Sequence, residues 1–286
     1  MRRVAVASRG ARALSTKTTH FGFETVDEPT KKGRVGEVFR RVAEKYDVMN
    51  DLMSAGAHRL WKDEFVRKAG RVVAPAGAGA VCLDVAGGTG DIAFRIADLM
   101  TKSYIRPAIA PRIIICDINE AMLDMGKERA DARGLVESAT KDHLAPRLEW
   151  RQGDAEDLAW VPDASIDLYT IAFGIRNCTH VDLVLKEAHR VLRPGGRFMC
   201  LEFSHVLYPG LREMYDAYSF AVIPAIGEAV AGDRASYKYL VESIRKFPNQ
   251  EAFADMIADA GFAGVDYTNF TAGVAAVHSG FKLAKT

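Results

Sequence analysis

Apolar residues in the middle of the chain come in short runs that alternate with stretches of helical spacing. Five runs have the length and composition of buried strands: residues 80–87, 112–119, 148–155, 166–174 and 197–204. Helical spacing follows three of them, from Asp91 onward and over residues 121–134 and 181–192. Two final strand-like runs, 264–271 and 273–283, follow a helical stretch. The alternation predicts the α/β class, with a doubly wound, mostly parallel, seven-stranded sheet.

Two further segments predict helices outside this alternation. Residues 34–70 carry apolar positions at helical spacing and form a predicted helical preface. After the fifth strand, residues 206–248 are aromatic and apolar and predict a helical insert or cap. Its most apolar part, residues 217–227, is interrupted by Pro224 and is shorter than the roughly 20 apolar residues that cross a bilayer. We expect the insert to lie on a membrane, to roof a pocket or to pack on its own domain.

The first 23 residues differ in composition from the rest of the chain. They contain no acid, and their basic residues are Arg2, Arg3, Arg9, Arg12 and Lys17. This composition is typical of a mitochondrial transit peptide, and the alternative is a disordered basic tail. We assign 1–23 to a predicted transit peptide and 24–286 to a single domain, and we expect residues before about Thr19 to be absent from the mature protein.

Bulk charge and cysteine spacing narrow the range of partners. The formal net charge is +1, so no strong field favours nucleic acid. The four cysteines have no spacing of the kind that holds metals, and we expect no metal site.

A glycine-rich turn follows the first strand in the stretch LDVAGGTGDIAF, residues 83–94. Within it, G-x-G-x-x-A matches the pattern of dinucleotide-binding loops, although a lone match is weak. Asp84 precedes the glycines and Asp91 follows them, and both carboxylates would repel a pyrophosphate. S-adenosylmethionine (AdoMet) has no phosphate and carries an ammonium and a sulfonium. The acids therefore favour AdoMet over a nicotinamide dinucleotide.

Acidic residues also end the next two strands. Asp117 ends one strand, where a carboxylate can accept both ribose hydroxyls, and Asp154 ends the following one. The Asp154 side chain and the amide of Ala155 can read an adenine edge. The alternative, that such residues cap helices, applies best to Asp91 and Asn119. Three consecutive strand ends with acids predict a cofactor crevice at this edge of the sheet.

The motifs LDVAGGTGDIA, CDINEAMLDMG, GDAEDL, DLYTIAFGIRN and HRVLRPGGRFMCLEFS resemble those of class I AdoMet methyltransferases, in the form used by the ubiquinone/menaquinone C-methyltransferases. The preface RVGEVFRRVAEKYDVMNDLMSAGAHRLWK and the ending AGVAAVHSGFK extend the resemblance to nearly everything after the leader. It implies a Rossmann-like fold with AdoMet as cofactor. The implied cofactor residues are Asp84, Gly87, Gly88, Thr89, Asp117, Asp154, Ala155 and Ala172. Bacterial relatives often have serine where this chain has Ala172, so a contact there must use the backbone.

The resemblance also implies the reaction, which is methylation of a ring carbon of a polyprenylated methoxy-benzoquinol in ubiquinone synthesis. Arg176 in FGIRN is a poor base because the pKa of arginine is above about 12, so we expect it to stabilise the quinolate oxygen or to hold a water. Asn177 is expected to orient the ring. The preface contributes His58 as a candidate base, and Tyr46 and Asn50 as substrate-binding candidates.

Other expectations follow from the resemblance alone. It implies a homodimer that associates with other quinone-synthesis enzymes and contacts the matrix face of the mitochondrial inner membrane as a peripheral protein. Two alternatives stay open: methylation of a menaquinone precursor, and a non-catalytic AdoMet-binding subunit of a biosynthetic complex.

Overall fold

The computed structural model describes residues 17–42, 50–51, 54, 56–76, 79–102, 109–135 and 144–284. These residues form a seven-stranded sheet in the order β5-β4-β3-β6-β7-β9-β8. Its strands are β3 (Val81–Val85), β4 (Arg112–Asp117), β5 (Arg147–Gln152), β6 (Ile166–Ala172), β7 (Leu192–Phe203), β8 (Ala263–Phe270) and β9 (Ala275–Phe281). Strands β3 to β7 pair in parallel, and β9 runs antiparallel to both of its neighbours. The predicted α/β class and mostly parallel seven-stranded sheet are confirmed.

Helices cover both faces of this sheet. The helices that flank it are α2 (Ala57–Ala76), α3 (Asp91–Thr101), α4 (Glu120–Ala132), α5 (Val181–Val191) and α8 (Gln250–Asp259), whereas α1 (Glu28–Val42) lines the cleft at the carboxyl ends of the strands. Side chains alternate between the faces of a strand, so Cys82 and Ile113 join one apolar core while Leu83 and Ile114 join the other. The strands are apolar on both faces because both faces are buried.

The predicted insert after the fifth strand is helical. It contains α6 (Leu211–Ile226), a π-helical turn (Gly227–Ala231) and α7 (Arg234–Lys246). Pro224 lies inside α6, and Ile223 packs with Tyr237 and Val241 in a small core of the insert. No helix of the described residues is long and apolar enough to cross a membrane.

An N-terminal β-hairpin packs on the insert. Its strands are β1 (Thr18–Phe21) and β2 (Glu24–Asp27). Phe21 stacks on Tyr239 with ring centroids 4.0 Å apart, and the Phe23 amide donates to Glu242 Oε2 at 3.2 Å. Residues 18–23 therefore belong to the folded part of the chain, although the composition assigned them to the leader. Four-residue strands with exposed positions carry too little apolar pattern to be read from sequence.

Parallel topology determines where a ligand can bind. The carboxyl ends of β3, β4, β5 and β6 lie at one edge of the sheet, and the glycine turn between β3 and α3 lies at that edge. Helix α1 precedes this sheet in sequence, yet it contributes residues to the same edge. The next section describes the cleft that these elements enclose.

Candidate active site

The glycine turn is held tightly against the sheet. Gly88 adopts a φ of +53°, and its amide donates to Asp117 Oδ2 at 2.9 Å. At Gly87 an added Cβ would lie 2.7 Å from Ile115 Cγ2, so a larger residue would displace the turn. Glycine is needed at Gly88 because side chains disfavour positive φ. The backbone can thus approach the end of β4 closely.

Asp84 is a buried carboxylate near the end of β3. Its side chain is buried within β3, and Oδ1 accepts a hydrogen bond from Thr170 Oγ1 at 2.7 Å. Oδ2 has no partner among the described residues. Burial raises the pKa of Asp84 to about 7. A cationic group of a ligand would supply the missing partner and favour the ionised carboxylate.

Asp117 lies at the end of β4, where the ribose of AdoMet is expected. Its Oδ1 accepts from the Asn119 amide at 2.8 Å, and its Oδ2 accepts from Gly88. Burial raises its pKa, while these backbone donors oppose the shift. Each oxygen has a further lone pair for a ribose hydroxyl. Asn119 caps α4 by accepting from the Ala121 amide, as the capping alternative predicted.

Asp154 already has a cationic partner. Its Oδ2 accepts from Lys32 Nζ of α1 at 2.7 Å, and its Oδ1 accepts from the Glu156 amide at 2.9 Å. Ala155 is buried beside it, and Ala172 lies at the end of β6. Thr89 Oγ1 accepts from Arg129 at 2.9 Å. An adenine edge at this position would therefore meet Lys32 as well as the Asp154 carboxylate.

All eight residues predicted for the cofactor line one cleft, with an empty volume of about 1220 Å³ that includes its open mouth. These residues fit AdoMet. Asp84 Oδ2, which has no partner among the described residues, can contact a cation, and the Asp117 oxygens can accept from ribose hydroxyls. Within the described part of the chain, no group of three or more His, Cys, Asp or Glu residues is placed to hold a metal ion.

Asp91 contributes less negative charge than its sequence position suggested. Lys62 donates to Oδ2 at 2.7 Å and Arg95 Nε to Oδ1 at 3.1 Å. Burial raises the pKa of Asp91, but the two cations outweigh it and the pKa lies below its usual value. The preference for a cationic cofactor therefore rests on Asp84 more than on Asp91.

A second cavity of about 610 Å³ adjoins the cofactor cleft and shares four lining residues with it: Phe39, Lys62, Phe173 and Asn177. The predicted residues Asn50, His58 and Arg176 also line it. Tyr46 lies outside the described residues. The insert contributes Ser236, Tyr237, Tyr239 and Leu240 to the lining of this cavity.

Arg176 is a buried, paired cation. It lies in the turn after β6 and is 5% exposed. Its Nη1 donates to Glu202 Oε1 at 2.8 Å and to the Phe173 carbonyl at 2.5 Å. Its guanidinium carbon lies 5.5 Å from the centroid of the Phe203 ring. Glu202 neutralises the guanidinium, and Nε has no partner among the described residues.

Asn177 is fixed by a residue of the insert. The Tyr239 hydroxyl donates to Asn177 Oδ1 at 3.0 Å. Asn177 Nδ2 is buried and has no partner among the described residues. The side chain that the sequence assigned to ring orientation thus presents a donor, because its acceptor is taken.

His58 is buried in α2 beside the second cavity. Its Nδ1 lies 2.9 Å from Ser54 Oγ, and its Nε2 lies 3.7 Å from Asp51 Oδ1. Burial and the charge of Lys62 lower its pKa, and Asp51 opposes the shift. His58 is therefore neutral at neutral pH and can accept a proton.

Sequence reasoning missed three residues at this site: Lys62, Glu202 and Tyr239. Glu202 had a readable signal, since it is an acid inside the apolar run RFMCLEFS near the end of the fifth strand, like the three acids that were recognised. Tyr239 gave no such signal, because only the packing of the insert brings α7 next to the turn after β6.

The sheet order, the glycine turn and the carboxylates at the strand ends define a class I AdoMet-dependent methyltransferase. The fold is similar to that of a methyltransferase of Thermotoga maritima, described as a possible histamine N-methyltransferase, with a TM-score of 0.55, 17% identity and coverage of 86% of this chain and 98% of that one. The [4+2]-cyclase SpnF is also similar, with a TM-score of 0.53, 17% identity and coverage of 78% and 81%.

The chain belongs to the ubiE/COQ5 methyltransferase family, whose model matches residues 27–282. It is 53% identical to the mitochondrial 2-methoxy-6-polyprenyl-1,4-benzoquinol methylase of Drosophila melanogaster, over 96% of this chain and 89% of the fly protein. Proteins of the same name from Rattus norvegicus and Arabidopsis thaliana are 50% and 52% identical, over 97% and 95% of this chain and 89% and 92% of theirs. The predicted family, enzyme class and AdoMet cofactor are confirmed.

Proposed function

We propose that this enzyme methylates a ring carbon of a polyprenylated methoxy-benzoquinol in ubiquinone synthesis. The observation that carries the proposal is the second cavity, which opens beside the cofactor cleft and is lined by Arg176 and Asn177. Each of the two has a buried donor without a partner among the described residues. Aromatic side chains line the same cavity, among them Phe39, Phe173 and Phe203. An electron-rich ring bearing hydroxyl groups suits both features. The names of relatives that are about 50% identical support this substrate class.

When bound, AdoMet supplies an electrophilic methyl group on a sulfonium. Transfer of this methyl to a ring carbon would leave a neutral thioether and release the proton of that carbon, which a group in the cavity would have to accept. Arg176 and Asn177 would hold the ring oxygen that gains negative charge, which makes the ring carbon a better nucleophile. The cavity would hold the ring in line with the methyl group, and such positioning supplies much of the rate.

The hydroxyl proton leaves before methyl transfer and the proton of the methylated carbon leaves after it. The ring oxygen regains a proton in the quinol product, so one proton is released in total. Neutral His58 lines the cavity and is the candidate acceptor, either directly or through a water. Arg176 acts here as a hydrogen-bond donor and not as the base, because a guanidinium has no acceptor atom.

We propose a mitochondrial location on the matrix side of the inner membrane, together with a homodimeric state and association with other quinone-synthesis enzymes. The mitochondrial names of the relatives support the compartment. Exposed apolar side chains on α6, including Met214, Tyr218 and Phe220, offer a surface for peripheral membrane contact. Sedimentation with and without vesicles would test both the oligomeric state and the membrane contact.

The test of the reaction is transfer of labelled methyl from AdoMet to a soluble quinol with a short prenyl chain, assayed under reducing conditions. We expect label in a ring carbon, located by mass spectrometry of the product. A menaquinone precursor serves as the competing substrate. Binding of AdoMet without methylation of either quinol would favour the non-catalytic alternative and overturn the proposal.

A further inference from the structure

Two consecutive residues that line the second cavity have buried N–H groups without an acceptor among the described residues. Arg176 Nε and Asn177 Nδ2 are both buried and unpartnered within the described part of the chain. Both residues line the cavity. A buried N–H without an acceptor is unfavourable, so native structures usually give it a partner. The arrangement is therefore suited to a ligand that brings an acceptor oxygen.

Glu202 determines which part of Arg176 is available. Its Oε1 accepts from Arg176 Nη1 at 2.8 Å, and its Oε2 lies 3.4 Å from the Arg176 amide nitrogen. Glu202 is 1% exposed and does not line the second cavity, so it acts on Arg176 from behind. Because Nη1 is committed to Glu202 and to the Phe173 carbonyl, the guanidinium cannot rotate freely.

Tyr239 plays the corresponding part for Asn177. An asparagine amide can present either its oxygen or its nitrogen to a ligand, and the Tyr239 hydroxyl donates to Oδ1. Burial raises the pKa of Tyr239, so the hydroxyl keeps its proton and remains a donor. Phe21 of the N-terminal hairpin stacks on the Tyr239 ring with centroids 4.0 Å apart, and this contact restricts rotation of the Tyr239 ring.

We infer that Glu202 and Tyr239 are positioning residues that fix Arg176 Nε–H and Asn177 Nδ2–H as a pair of donors for the quinol oxygen that gains negative charge. Glu202 orients a guanidinium through an ion pair, and Tyr239 orients an amide through a hydrogen bond. The inference rests on the proposed function, since it assigns both residues to the same methyl transfer. Neither Glu202 nor Tyr239 lines the cofactor cleft, although Asn177 lines both the cleft and the cavity.

Nearly isosteric substitutions test the two roles. Glu202→Gln removes the charge that anchors Arg176, and we expect the turnover number at saturating quinol to fall by about tenfold, the scale of a disturbed electrostatic contact. Tyr239→Phe keeps the stack on Phe21 but lets the Asn177 amide turn, and we expect a fall of about threefold to tenfold. AdoMet affinity, measured by calorimetry, should stay within about twofold in both variants.

The control variants remove a carboxylate and a tyrosine hydroxyl that line neither the cleft nor the cavity. Glu149→Gln removes a strand carboxylate that pairs with Arg112, and Tyr267→Phe removes a tyrosine hydroxyl from β8. Both controls should retain wild-type turnover. The decisive measurement is a pair of double-mutant cycles, Glu202→Gln with Arg176→Ala and Tyr239→Phe with Asn177→Ala. If each positioning residue acts through its partner, the second substitution should add almost nothing to the first.

The outcomes separate this inference from the proposed function. An active wild type with non-additive cycles supports it. An active wild type whose two variants turn over normally overturns the positioning roles alone, and so do losses that add fully in the cycles or that accompany equal losses of AdoMet affinity. A wild type that binds AdoMet but methylates no quinol overturns the proposed function and the inference with it.

Discussion

The cofactor cleft and the second cavity share a wall, yet they offer opposite chemistry. In the cleft, Asp84 keeps a buried acceptor without a partner among the described residues. In the cavity, Arg176 and Asn177 keep buried donors without one. A cationic methyl donor is suited to the acceptor in the cleft, and a ring oxygen that becomes anionic is suited to the donors in the cavity. The contrast shows how one crevice can sort two ligands by the sign of charge each brings.

The two regions also differ in how the chain builds them. The cleft is formed mainly by residues that directly follow β3, β4, β5 and β6, where the backbone of parallel strands ends at one edge. The cavity is assembled from α1, Asn50, α2, the turn after β6, the end of β7 and α7. Substitutions can therefore affect one region while leaving the other intact, and the predictions below use that separation.

The largest expected effect separates turnover from cofactor binding. Arg176→Ala removes a donor that acts on the developing quinolate, so single-turnover methyl transfer at saturating quinol should slow by about 10²-fold or more. AdoMet affinity should be retained. Because Glu202 would remain buried without its cation, stability should also fall, by about 3 to 5 kcal/mol in a urea titration.

Arg176→Lys is the matched variant for this experiment. A lysine keeps the charge but lacks the planar fork that can hold Glu202 and a ligand oxygen together, so it should recover only part of the rate. Near wild-type rates for the alanine variant would contradict the assignment of Arg176. His58 would then be tested first, and its rate-linked titration should lie below about 6.5 because burial lowers its pKa.

The second prediction tests cofactor binding in the cleft separately from turnover. Asp117→Ala removes the acceptors for the ribose hydroxyls and should weaken AdoMet binding by about 1.5 to 3 kcal/mol, as measured by calorimetry. Turnover at saturating AdoMet should change far less. Asp124→Ala, which alters an exposed carboxylate on α4, is the control. An unchanged affinity for Asp117→Ala would mean that the ribose is held elsewhere.

The difference between the regions explains what the sequence could predict. The sheet, the insert and the cofactor residues were readable because apolar runs end in acids or glycines within a few positions. Glu202 could have been recognised as an acid near a strand end, but its pairing with Arg176 and the contact of Tyr239 with Asn177 form only in the folded chain. The hairpin was missed because its short strands gain their order from packing on the insert.

A third, smaller effect concerns pH and sharpens the role of Asp84. Its pKa of about 7 in the free protein means that it is mostly protonated below neutral pH and must lose a proton to pair with a cation. AdoMet affinity should therefore rise about fivefold to tenfold between about pH 6 and about pH 7.5. Asp84→Asn should bind more weakly and show a flatter pH profile. Equal slopes for both proteins would assign the pH dependence to another group.

The smallest expected effect tests whether residues before Glu24 belong to the cavity side of the molecule. A protein that begins at Lys17 retains β1. One that begins at Glu24 loses the stack of Phe21 on Tyr239 and the hydrogen bond from the Phe23 amide to Glu242. A ring stack contributes about 0.5 to 1.5 kcal/mol beyond its buried area. For a chain of this size, each 1 kcal/mol lowers the melting temperature by about 2 to 4 °C. Calorimetric scans should therefore place the melting temperature of the shorter protein a few degrees below that of the longer one, while AdoMet affinity stays equal.

Phe21→Ala in the longer protein should reproduce most of this loss of stability. Identical melting temperatures would show that the hairpin contributes nothing to the fold, and the Phe21 contact would lose its role in restraining Tyr239.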